Sequence, residues 1–506
     1  MGKGQKRAGV FLSYVNVAAN FMVHLLYTPL MLRLLGQSEY GIYTFANSTI
    51  SFLSVFDLGF AETYLRYWAV YAANNDKKKI EILNGTYLKL FSLLGLIAST
   101  CGVILALNVN VFFSRRFSLS ELHTTKVLMI LLSIDMGVTL FSSVFSSIIN
   151  SQERFIWLKA LQLIKTICSP FIAIPLMLSG LGSVGVVLSV IIISIFTIVC
   201  HIFYCIKVLH TKFDLHITDF KLIKSMSKFS AFIFLNEIIS QINWNVDKVL
   251  LGMYQGTKAV AVYGVGSQID VLYREVSGSI SSVFAPQIND MVARGESDDE
   301  LTNLFIRVGR IQLLVLSPVL IGFYTFGQYF IRIWSGEGYN ESYWVAVLLI
   351  TPVTIPLIQN IGIEIQRAKN KHQFRSIIYF VMAILNIFVS IPLCIKWGAI
   401  GSAFGTSLSL LVGNGFIMNW YYQTHLGINV IKFWKDVLKF SLSLIAPITF
   451  GIVITRFVMQ WSILRFIVLG IIYILVYCLS VWKLGMNVEE KKLVKSLLKT
   501  FQREKL

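Results

Sequence analysis

Apolar segments long enough to cross a lipid bilayer recur along this whole chain. A membrane-spanning helix needs about 20 predominantly apolar residues, and roughly fourteen such segments, joined by short polar connections, occur in the 506 residues. They start near residues 9, 40, 82, 121, 155, 183, 228, 258, 301, 342, 373, 398, 436 and 460. No strand-like alternation recurs, which argues against a membrane β-barrel. The sequence therefore predicts an all-α polytopic membrane protein with about 14 transmembrane helices.

The charge distribution predicts how the chain is oriented in the membrane. Only 14% of residues are charged, and the mean hydropathy is +0.70, which excludes an ordinary soluble domain. With a cytoplasmic N-terminus, about thirty Lys and Arg face inward and about eight face outward, as the positive-inside rule predicts. The inner connections are Lys3 to Arg7, Lys77 to Lys79, Lys207 to Lys228, Arg367 to Arg375, Lys432 to Lys439 and the tail from Lys483. The net charge of +18 thus indicates a multi-pass cell (plasma or inner) membrane protein with both termini cytoplasmic, and no nucleic-acid partner.

Two pairs of similar sequence segments indicate an internal duplication. IPLMLSGLGSVGVVLS from Ile174 resembles IPLCIKWGAIGSAFGTSLS from Ile391, and LGQSEYGIY from Leu35 resembles YQGTKAVAVY from Tyr254. Both pairs are offset by about 220 residues. We therefore predict two pseudo-symmetric six-helix lobes at residues 1–210 and 225–425, two extra transmembrane helices at 432–484, and a basic cytoplasmic tail at 485–506. Because each lobe has an even number of helices, the two share one orientation, and such halves usually enclose a cavity with alternating openings.

Polar residues fall on one side of two helices that the duplication makes equivalent. In the first segment they are Ser13, Asn16, Asn20, His24 and Tyr27. In the seventh they form two neighbouring stripes, Asn236, Ser240, Asn243 and Asp247 beside Glu237, Gln241, Trp244 and Lys248. Both sets follow helical spacing. A polar side in hydrocarbon predicts a water-filled pathway, because buried polar groups are costly unless they reach water or a partner.

Asp247 and Lys248 admit two interpretations. At 1.5 Å per residue Asp247 lies about 28 Å from the start of its segment, near the outer interface. The pair either couples an ion to transport or anchors the helix end at that interface. Asp57, in the second segment, is a candidate for the same two roles.

Three basic residues inside the apolar segments are candidates for binding an anion. Arg66 and Arg274 lie toward the cytoplasmic half of matching helices, and Lys165 lies in the fifth segment. A guanidinium binds phosphate through a planar fork of donors. The alternative is pairing within each helix, of Arg66 with Glu62 and of Arg274 with Asp270.

The sequence lacks the motifs of an ATPase or a hydrolase. It contains no Gly-x-x-x-x-Gly-Lys-[Ser/Thr] loop and no His, Cys and carboxylate set with metal-ligand spacing. The six cysteines lie in apolar segments, which is typical of packing residues. We expect no enzymatic activity, no cofactor and no metal.

Three stretches resemble a known family. They are LGQSEYGIYTFANSTISFLSVFDLGF from Leu35, NVDKVLLGMYQGTKAVAVYGVGSQI from Asn245 and KWGAIGSAFGTSLS from Lys396. Together with the helix count they are similar to the polysaccharide transporter (oligosaccharide flippase) branch of the multidrug/oligosaccharidyl-lipid/polysaccharide exporter superfamily, which includes O-antigen and capsule-repeat flippases. The resemblance covers nearly the whole chain and specifies the family better than the substrate.

The resemblance implies alternating access that moves a polyprenyl-diphosphate-linked oligosaccharide from the cytoplasmic to the outer face, for cell-surface polysaccharide synthesis. The first, second, seventh and eighth helices would line the cleft. Arg66, Arg274 and Lys165 would attract the diphosphate, and Asn16, Asn20, His24, Asn236, Ser240, Gln241, Asn243 and Trp244 would line the cavity that admits the sugar. Implied partners are membrane lipids and a polysaccharide polymerase or other assembly proteins.

Two other functions fit a many-helix membrane protein. A cation-coupled drug or metabolite exporter of the same superfamily should have an acidic, aromatic cavity, whereas several deep charges here are basic. A polysaccharide polymerase should carry a substantial outer loop, whereas the outer connections here are short. Both features favour the lipid-linked oligosaccharide.

Overall fold

The computed structural model describes residues 3–217, 219–371, 373–458, 461–492 and 495. In these residues the secondary structure is helical, with no strand among them, so the predicted all-α class is confirmed. The α-helices are α1 Lys3–Ser51, α2 Phe60–Ala73, α3 Lys77–Leu107, α4 Val109–Phe113, α5 Leu119–Ser151, α6 Phe155–Leu176, α7 Gly182–Phe203, α8 Phe220–Tyr254, α9 Thr257–Ala293, α10 Asp298–Ser335, α11 Glu341–Ile358, α12 Ile361–Ala368, α13 Gln373–Leu410, α14 Met418–His425, α15 Val430–Ser441, α16 Ile445–Phe457 and α17 Ile463–Ser480. Short 3₁₀ turns occupy Phe52–Asp57 and Leu442–Leu444, and π turns occupy Met177–Leu181, Tyr204–Val208, Leu411–Ile417 and Val481–Gly485.

Among the described residues, nine helical stretches are long and apolar enough to cross a membrane. Three of them, Phe11–Asp57, Phe155–Val208 and Gln373–His425, are each interrupted at a glycine and each match two predicted segments. Helices α8 and α9 match two more, but charged residues such as Asp247 and Asp270 interrupt their apolar character. The helices are therefore compatible with the fourteen predicted segments.

Side-chain caps mark where several helices begin. The Asp76 side chain accepts the Lys79 amide at α3, Asp219 accepts the Leu222 amide at α8, and Ser297 accepts the Glu300 amide at α10. Such caps satisfy amide groups that have no partner within the first helical turn. The cap residues lie in the polar connections, so the same sequence segments both end one apolar stretch and start the next.

The Ile-Pro-Leu echo has the same local geometry in both copies. Gly182 has φ 50° and ψ −131°, and Gly398 has φ 57° and ψ −133°, so each breaks the helix in nearly the same way. Three residues further on, a Cβ at Gly185 or at Gly401 would meet the backbone of the leucine of its own Ile-Pro-Leu motif. Glycine is required at both places in each copy, because Gly182 and Gly398 adopt a positive φ and Gly185 and Gly401 leave no room for a Cβ.

The chain divides into two compact units. The first comprises Met1–Gly264 with Ile387–Ser402, and the second comprises Val265–Asn386 with Ala403–Leu506. The residues of the predicted first lobe, 1–210, lie entirely in the first unit, which also contains α8 and the start of α9.

Small residues bring the helices of the first unit close together. A Cβ at Gly95 on α3 would lie 2.9 Å from the Gly137 carbonyl oxygen on α5. Ser99 on α3 also donates a 2.9 Å hydrogen bond to the Ser133 carbonyl of α5. Within a membrane, close approach of this kind stabilises helix pairs where hydrophobic burial cannot, because lipid tails are as apolar as the side chains.

The second unit has one large hydrophobic core that extends from Tyr273 to Val481. Its TPVTIPLIQN stretch, Thr351 to Asn360, is interrupted between α11 and α12. Gln359 donates to Asn419 at 2.8 Å and Asn360 donates to Ser281 at 3.0 Å across this interruption. These bonds connect the interruption to α14 and α9 and hold it in one geometry.

A buried ion pair fastens the chain that follows α17 to α10. Arg310 donates to Glu490 through Nε at 2.7 Å and Nη2 at 3.0 Å, and also donates to the Gly485 carbonyl at 2.8 Å. Both side chains are buried. Most of the predicted basic tail, 485–506, lies outside the described residues.

Candidate translocation site

A polar network extends along α8 in the first unit. Gln241 Nε2 donates to Glu237 at 2.7 Å and to the hydroxyl of Ser54 at 2.8 Å, and Ser54 donates to Glu237 at 3.2 Å. Asn245 donates to Gln241 at 2.7 Å. Glu237, Gln241 and Asn245 are four residues apart, so they stack on one side of the helix. We call Ser54, Glu237, Gln241 and Asn245 the α8 network.

Further candidates on α8 differ in exposure. Asn236 and Trp244 are exposed, whereas Ser240, Asn243 and Lys248 are half-buried. The predicted polar side of α8 therefore contains exposed side chains as well as the side chains of the α8 network, which hydrogen-bond to one another. A carboxylate, amides and hydroxyls on one membrane helix can bind hydroxyl-rich groups or an ion.

The α1 candidates occupy different environments. Asn16 is 5% exposed, and its amide donates to the Leu12 carbonyl at 2.8 Å and to the Lys159 carbonyl of α6 at 2.9 Å. Asn20 and His24 are half-buried. Asn16 thus differs from the expected cavity lining, because the asparagine fastens α1 to α6.

Asp247 is buried rather than at a wet helix end. It is 2% exposed and accepts hydrogen bonds of 2.7 Å from the hydroxyls of Tyr263 and Ser402. An interfacial anchor would present its carboxylate to headgroups and water, so the burial of Asp247 argues against the anchor interpretation. The position of Asp247 in the sequence predicts its distance along the helix axis, but it does not predict the direction in which the side chain points.

Asp57 lies at a break between α1 and α2. It is half-buried and ends the 3₁₀ turn, immediately before Leu58 and Gly59, which both have positive φ. The single helix predicted from residue 40 is therefore divided here, and the break places Asp57 beside irregular backbone. Irregular backbone within a membrane protein is tolerated where protein or a wet cavity satisfies its polar groups.

The basic candidates lie in both units. In the first unit Arg66 and Lys165 are exposed, and Lys165 lies within electrostatic range of Asp135 on α5 and His201 on α7. The side chain of Glu62, the alternative partner of Arg66, lies outside the described side chains. In the second unit Arg274 forms an ion pair of 2.8 Å with Asp270, as the alternative interpretation predicted.

A second cluster in the first unit was not predicted. Glu121 Oε1 accepts the hydroxyls of Ser38 and of Thr257, the latter at 2.7 Å, and the two hydroxyls lie 2.9 Å apart. A Cβ at Gly41 would overlap the Thr257 carbonyl oxygen, so α1 and the start of α9 touch backbone to backbone. Ser38 and Thr257 lie in the echoed motifs LGQSEYG and YQGTKA, which is the signal that could have found them.

The α8 network is larger than the site predicted from the sequence. Glu237 was assigned to a polar stripe but not to the site, and Ser54 was not singled out. The four-residue spacing of Glu237, Gln241 and Asn245 was a usable signal. Ser54 is 187 residues from Gln241 in the chain, so its part in the network depends on tertiary packing. Among the described residues no group of three or more His, Cys, Asp and Glu side chains is placed to hold a metal ion.

Sequence comparison places these features in a family. The model of the family described as "Polysaccharide biosynthesis protein" matches residues 30–344, and this confirms the predicted resemblance. The chain is 19% identical over 395 residues to a Shigella flexneri protein named "Putative O-antigen transporter", covering 77% of this chain and 91% of the relative. It is 21% identical over 454 residues to "Uncharacterized membrane protein EpsK" of Bacillus subtilis (strain 168), covering 84% and 86%.

Solved structures agree on the fold. The lipid II flippase MurJ in an inward closed conformation superposes with a TM-score of 0.74 at 17% identity, covering 93% of this chain and 97% of that one. An outward-facing multidrug resistance transporter of the MATE family superposes with a TM-score of 0.57 at 12% identity, covering 86% and 99%. The fold is therefore that of a multi-pass membrane transporter, and the Shigella relative and both solved structures are named as transporters or flippases rather than as enzymes.

Proposed function

Because the chain belongs to the family of polysaccharide biosynthesis proteins, we propose that it is a flippase for polyprenyl-diphosphate-linked oligosaccharides. The protein moves complete repeat units from the cytoplasmic to the outer face of the cell membrane by alternating access. Both termini lie in the cytoplasm, and the units feed a cell-surface polysaccharide.

The α8 network is the observation that carries this proposal. Glu237, Gln241 and Asn245 place a carboxylate and two amides in one row on a helix between apolar segments. A sugar with many hydroxyls cannot cross hydrocarbon without replacing the hydrogen bonds it makes to water. A polar row supplies such replacements, while the polyprenyl tail stays in the lipid.

We assign the remaining roles by chemistry. Arg66 and Lys165 attract the diphosphate. Arg274 also attracts it, through N–H groups of the guanidinium that do not bind Asp270. The exposed Asn236 and Trp244, with the half-buried Asn20, His24, Ser240 and Asn243, contact the saccharide. Asn16 acts through its bonds to α6 and supports α1 rather than touching substrate.

The decisive experiment measures lipid-linked saccharides in cells that lack the protein. Mass spectrometry identifies the lipids, and attack by a glycosidase added outside reports the membrane side. Complete units should accumulate on the cytoplasmic face. Accumulation of single units on the outer face would instead indicate a polymerase, and unchanged lipids would contradict a role in this pathway.

Site variants separate the diphosphate from the saccharide part of the proposal. Substitution of both Arg66 and Arg274 by Gln should abolish complementation of the deletion, whereas Arg294→Gln, an exposed arginine paired with Asp290, should leave it intact. Retained transport in the double variant at normal expression would overturn the assignment of the diphosphate.

An ion-coupled exporter is the second candidate, favoured by two carboxylates on α8. Glu237 and Asp247 lie within a membrane helix, where carboxylates commonly bind transported ions. Asp57 is a further candidate for coupling. Proteoliposomes with an imposed proton or sodium gradient should distinguish the two functions. Only an exporter would use the gradient to transport a cationic drug or metabolite in the absence of lipid-linked saccharide.

A further inference from the structure

A cavity of about 410 Å³ lies in the second unit between the end of α10, the start of α11 and the residue pair that precedes α17. Its lining includes three aromatic residues, Tyr329, Trp344 and Trp461, and the polar residues Gln328, Arg332 and Glu341. The volume falls in the range of about 300–1,000 Å³ that small-ligand sites occupy. None of these residues belongs to the proposed translocation site.

The aromatic side chains form an open apolar wall. The rings of Tyr329 and Trp461 stack with centroids 5.2 Å apart at 26°, which fixes their faces. Trp344 is 49% exposed although it is a large apolar side chain. A rigid ring that remains uncovered offers a flat contact surface, and binding a ligand there costs little side-chain conformational entropy.

The polar side chains stand beside this wall and are available to a ligand. Gln328, Arg332 and Glu341 are exposed, and the side chains of Gln328 and Glu341 make no hydrogen bond to another part of the described chain. Arg332 donates to Glu337 through Nη2 at 3.0 Å, and a guanidinium carries five N–H groups in all. The cavity therefore offers an amide, a carboxylate and a guanidinium next to aromatic faces.

We propose that this cavity is a saccharide-binding site on the outer face of the membrane. Sugars have apolar C–H faces that pack on aromatic rings and a rim of hydroxyls that exchange hydrogen bonds with amide, carboxylate and guanidinium groups. The side follows from topology: α10 and α17 each cross the membrane once and meet the cavity at the ends opposite the basic connections Arg367–Arg375 and Lys432–Lys439.

Anchoring at the membrane interface and binding of an organic cation fit this lining less well. Tryptophan and tyrosine are common at membrane interfaces, but anchoring alone does not require a concave site with Gln328 and Glu341 facing it. An aromatic cage can also bind an organic cation, but a cation makes no use of the hydrogen-bond donors that Gln328 and Arg332 add to this lining.

The source of the saccharide, though not the site, rests on the proposed function. A flippase delivers saccharides to the face on which the cavity opens, so the ligand is a delivered repeat unit or the polymer built from such units. Binding of free saccharide and accumulation of lipid-linked units are separate measurements, so either can fail without the other.

The test uses the purified full chain in lipid nanodiscs. Saturation-transfer NMR titrations with N-acetylglucosamine, glucuronic acid and maltose, and with tetramethylammonium as the cationic probe, measure binding. We expect at least one saccharide to bind, and Trp344→Ala to raise its Kd about tenfold, the effect of losing about 1.4 kcal/mol. Trp344→Phe should retain most of the affinity, and Trp420→Ala, a similarly exposed tryptophan on α14, should leave it unchanged.

Gln328→Ala keeps the test valid if Trp344→Ala fails to fold, because Gln328 is exposed and supports no other described side chain. It should also weaken saccharide binding. The proposal is overturned by absence of binding to every saccharide, by unchanged affinity in the Trp344→Ala and Gln328→Ala variants, or by binding of tetramethylammonium alone. Saccharide binding with unchanged lipid-linked pools in the deletion strain would support the cavity and contradict the flippase.

Discussion

At the residue scale, buried charges in this protein are held by partners from distant parts of the chain. Asp247 accepts hydroxyls from Tyr263 and Ser402, and Arg310 forms a forked pair with Glu490. An unpaired charge in a low-dielectric interior costs several kcal/mol, so each partner determines whether the charge is tolerated. Exposed pairs such as Arg294 with Asp290 contribute far less, because water solvates both ions.

Removal of the Asp247 carboxylate should destabilise the protein through its partners. In Asp247→Ala the hydroxyls of Tyr263 and Ser402 lose their acceptor, and we expect a loss of about 1–3 kcal/mol in the free energy of unfolding. Asp247→Asn keeps an acceptor oxygen and should lose less. Thermal unfolding in detergent, followed by intrinsic fluorescence, ranks the stabilities of the wild type, Asp247→Asn and Asp247→Ala. Equal unfolding midpoints for wild type and Asp247→Ala would contradict the prediction.

Loss of one partner of the buried Arg310–Glu490 pair should lower the free energy of unfolding by more than Asp247→Ala does. Arg310→Ala leaves the Glu490 carboxylate buried without its cation, which typically costs about 3–5 kcal/mol. The control Arg294→Ala breaks an exposed pair and should cost less than about 1 kcal/mol. The same unfolding assay measures both. A smaller loss in Arg310→Ala than in Arg294→Ala would show that the α10 pair does not fasten the C-terminal segment.

At the element scale, glycines decide where helices break and where they touch. Gly182 and Gly398 break their helices with almost the same backbone angles, whereas Gly41 allows the backbone contact of α1 with Thr257. These positions use glycine for different reasons, a positive φ at the first two and close approach at the third. Proline marks the Ile-Pro-Leu turns but does not break the helix by itself, since Pro175 and Pro392 lie inside α6 and α13.

Substitution at Gly41 should separate α1 from α9. In Gly41→Ala the new methyl group overlaps the Thr257 carbonyl, so the contact and the hydrogen bonds of Ser38 and Thr257 to Glu121 should weaken. We expect a lower midpoint of thermal unfolding in detergent than for the unsubstituted chain. The control is Gly278→Ala on α9, where nothing lies within 4 Å of the new Cβ and alanine favours the helix by up to about 1 kcal/mol. Equal behaviour of the two variants would disprove the contact.

At the whole-molecule scale, the charge of the connections predicts how the chain is oriented in the membrane. Basic residues concentrate in alternate connections, among them Arg367 to Arg375, whereas the connection at Glu337 lies one crossing away. The positive-inside rule therefore assigns the two connections to opposite faces of the membrane.

Cysteine labelling should confirm this orientation. In whole cells a membrane-impermeant maleimide should label Glu337→Cys directly and Arg367→Cys only after permeabilisation. Both side chains are 64% or more exposed, so access depends on the membrane side. The unsubstituted chain is the background control, since its six cysteines lie in apolar segments. Labelling of Arg367→Cys in intact cells would reverse the assignment.

The sequence alone determined the membrane class, the all-α fold class and the polar character of α8, because hydropathy and four-residue spacing are local properties. The sequence also predicted Gln241 as a site residue and, as one of two alternatives, the pairing of Arg274 with Asp270. In both cases a hydrogen-bonding or ionic partner lies one helical turn away. Only the tertiary structure decided that Ser54 joins Gln241, that Ser402 binds Asp247, that Asn16 fastens α6, and that Trp344 and Trp461 share a cavity. These pairings join residues more than 100 positions apart, and helix packing rather than local spacing selects them.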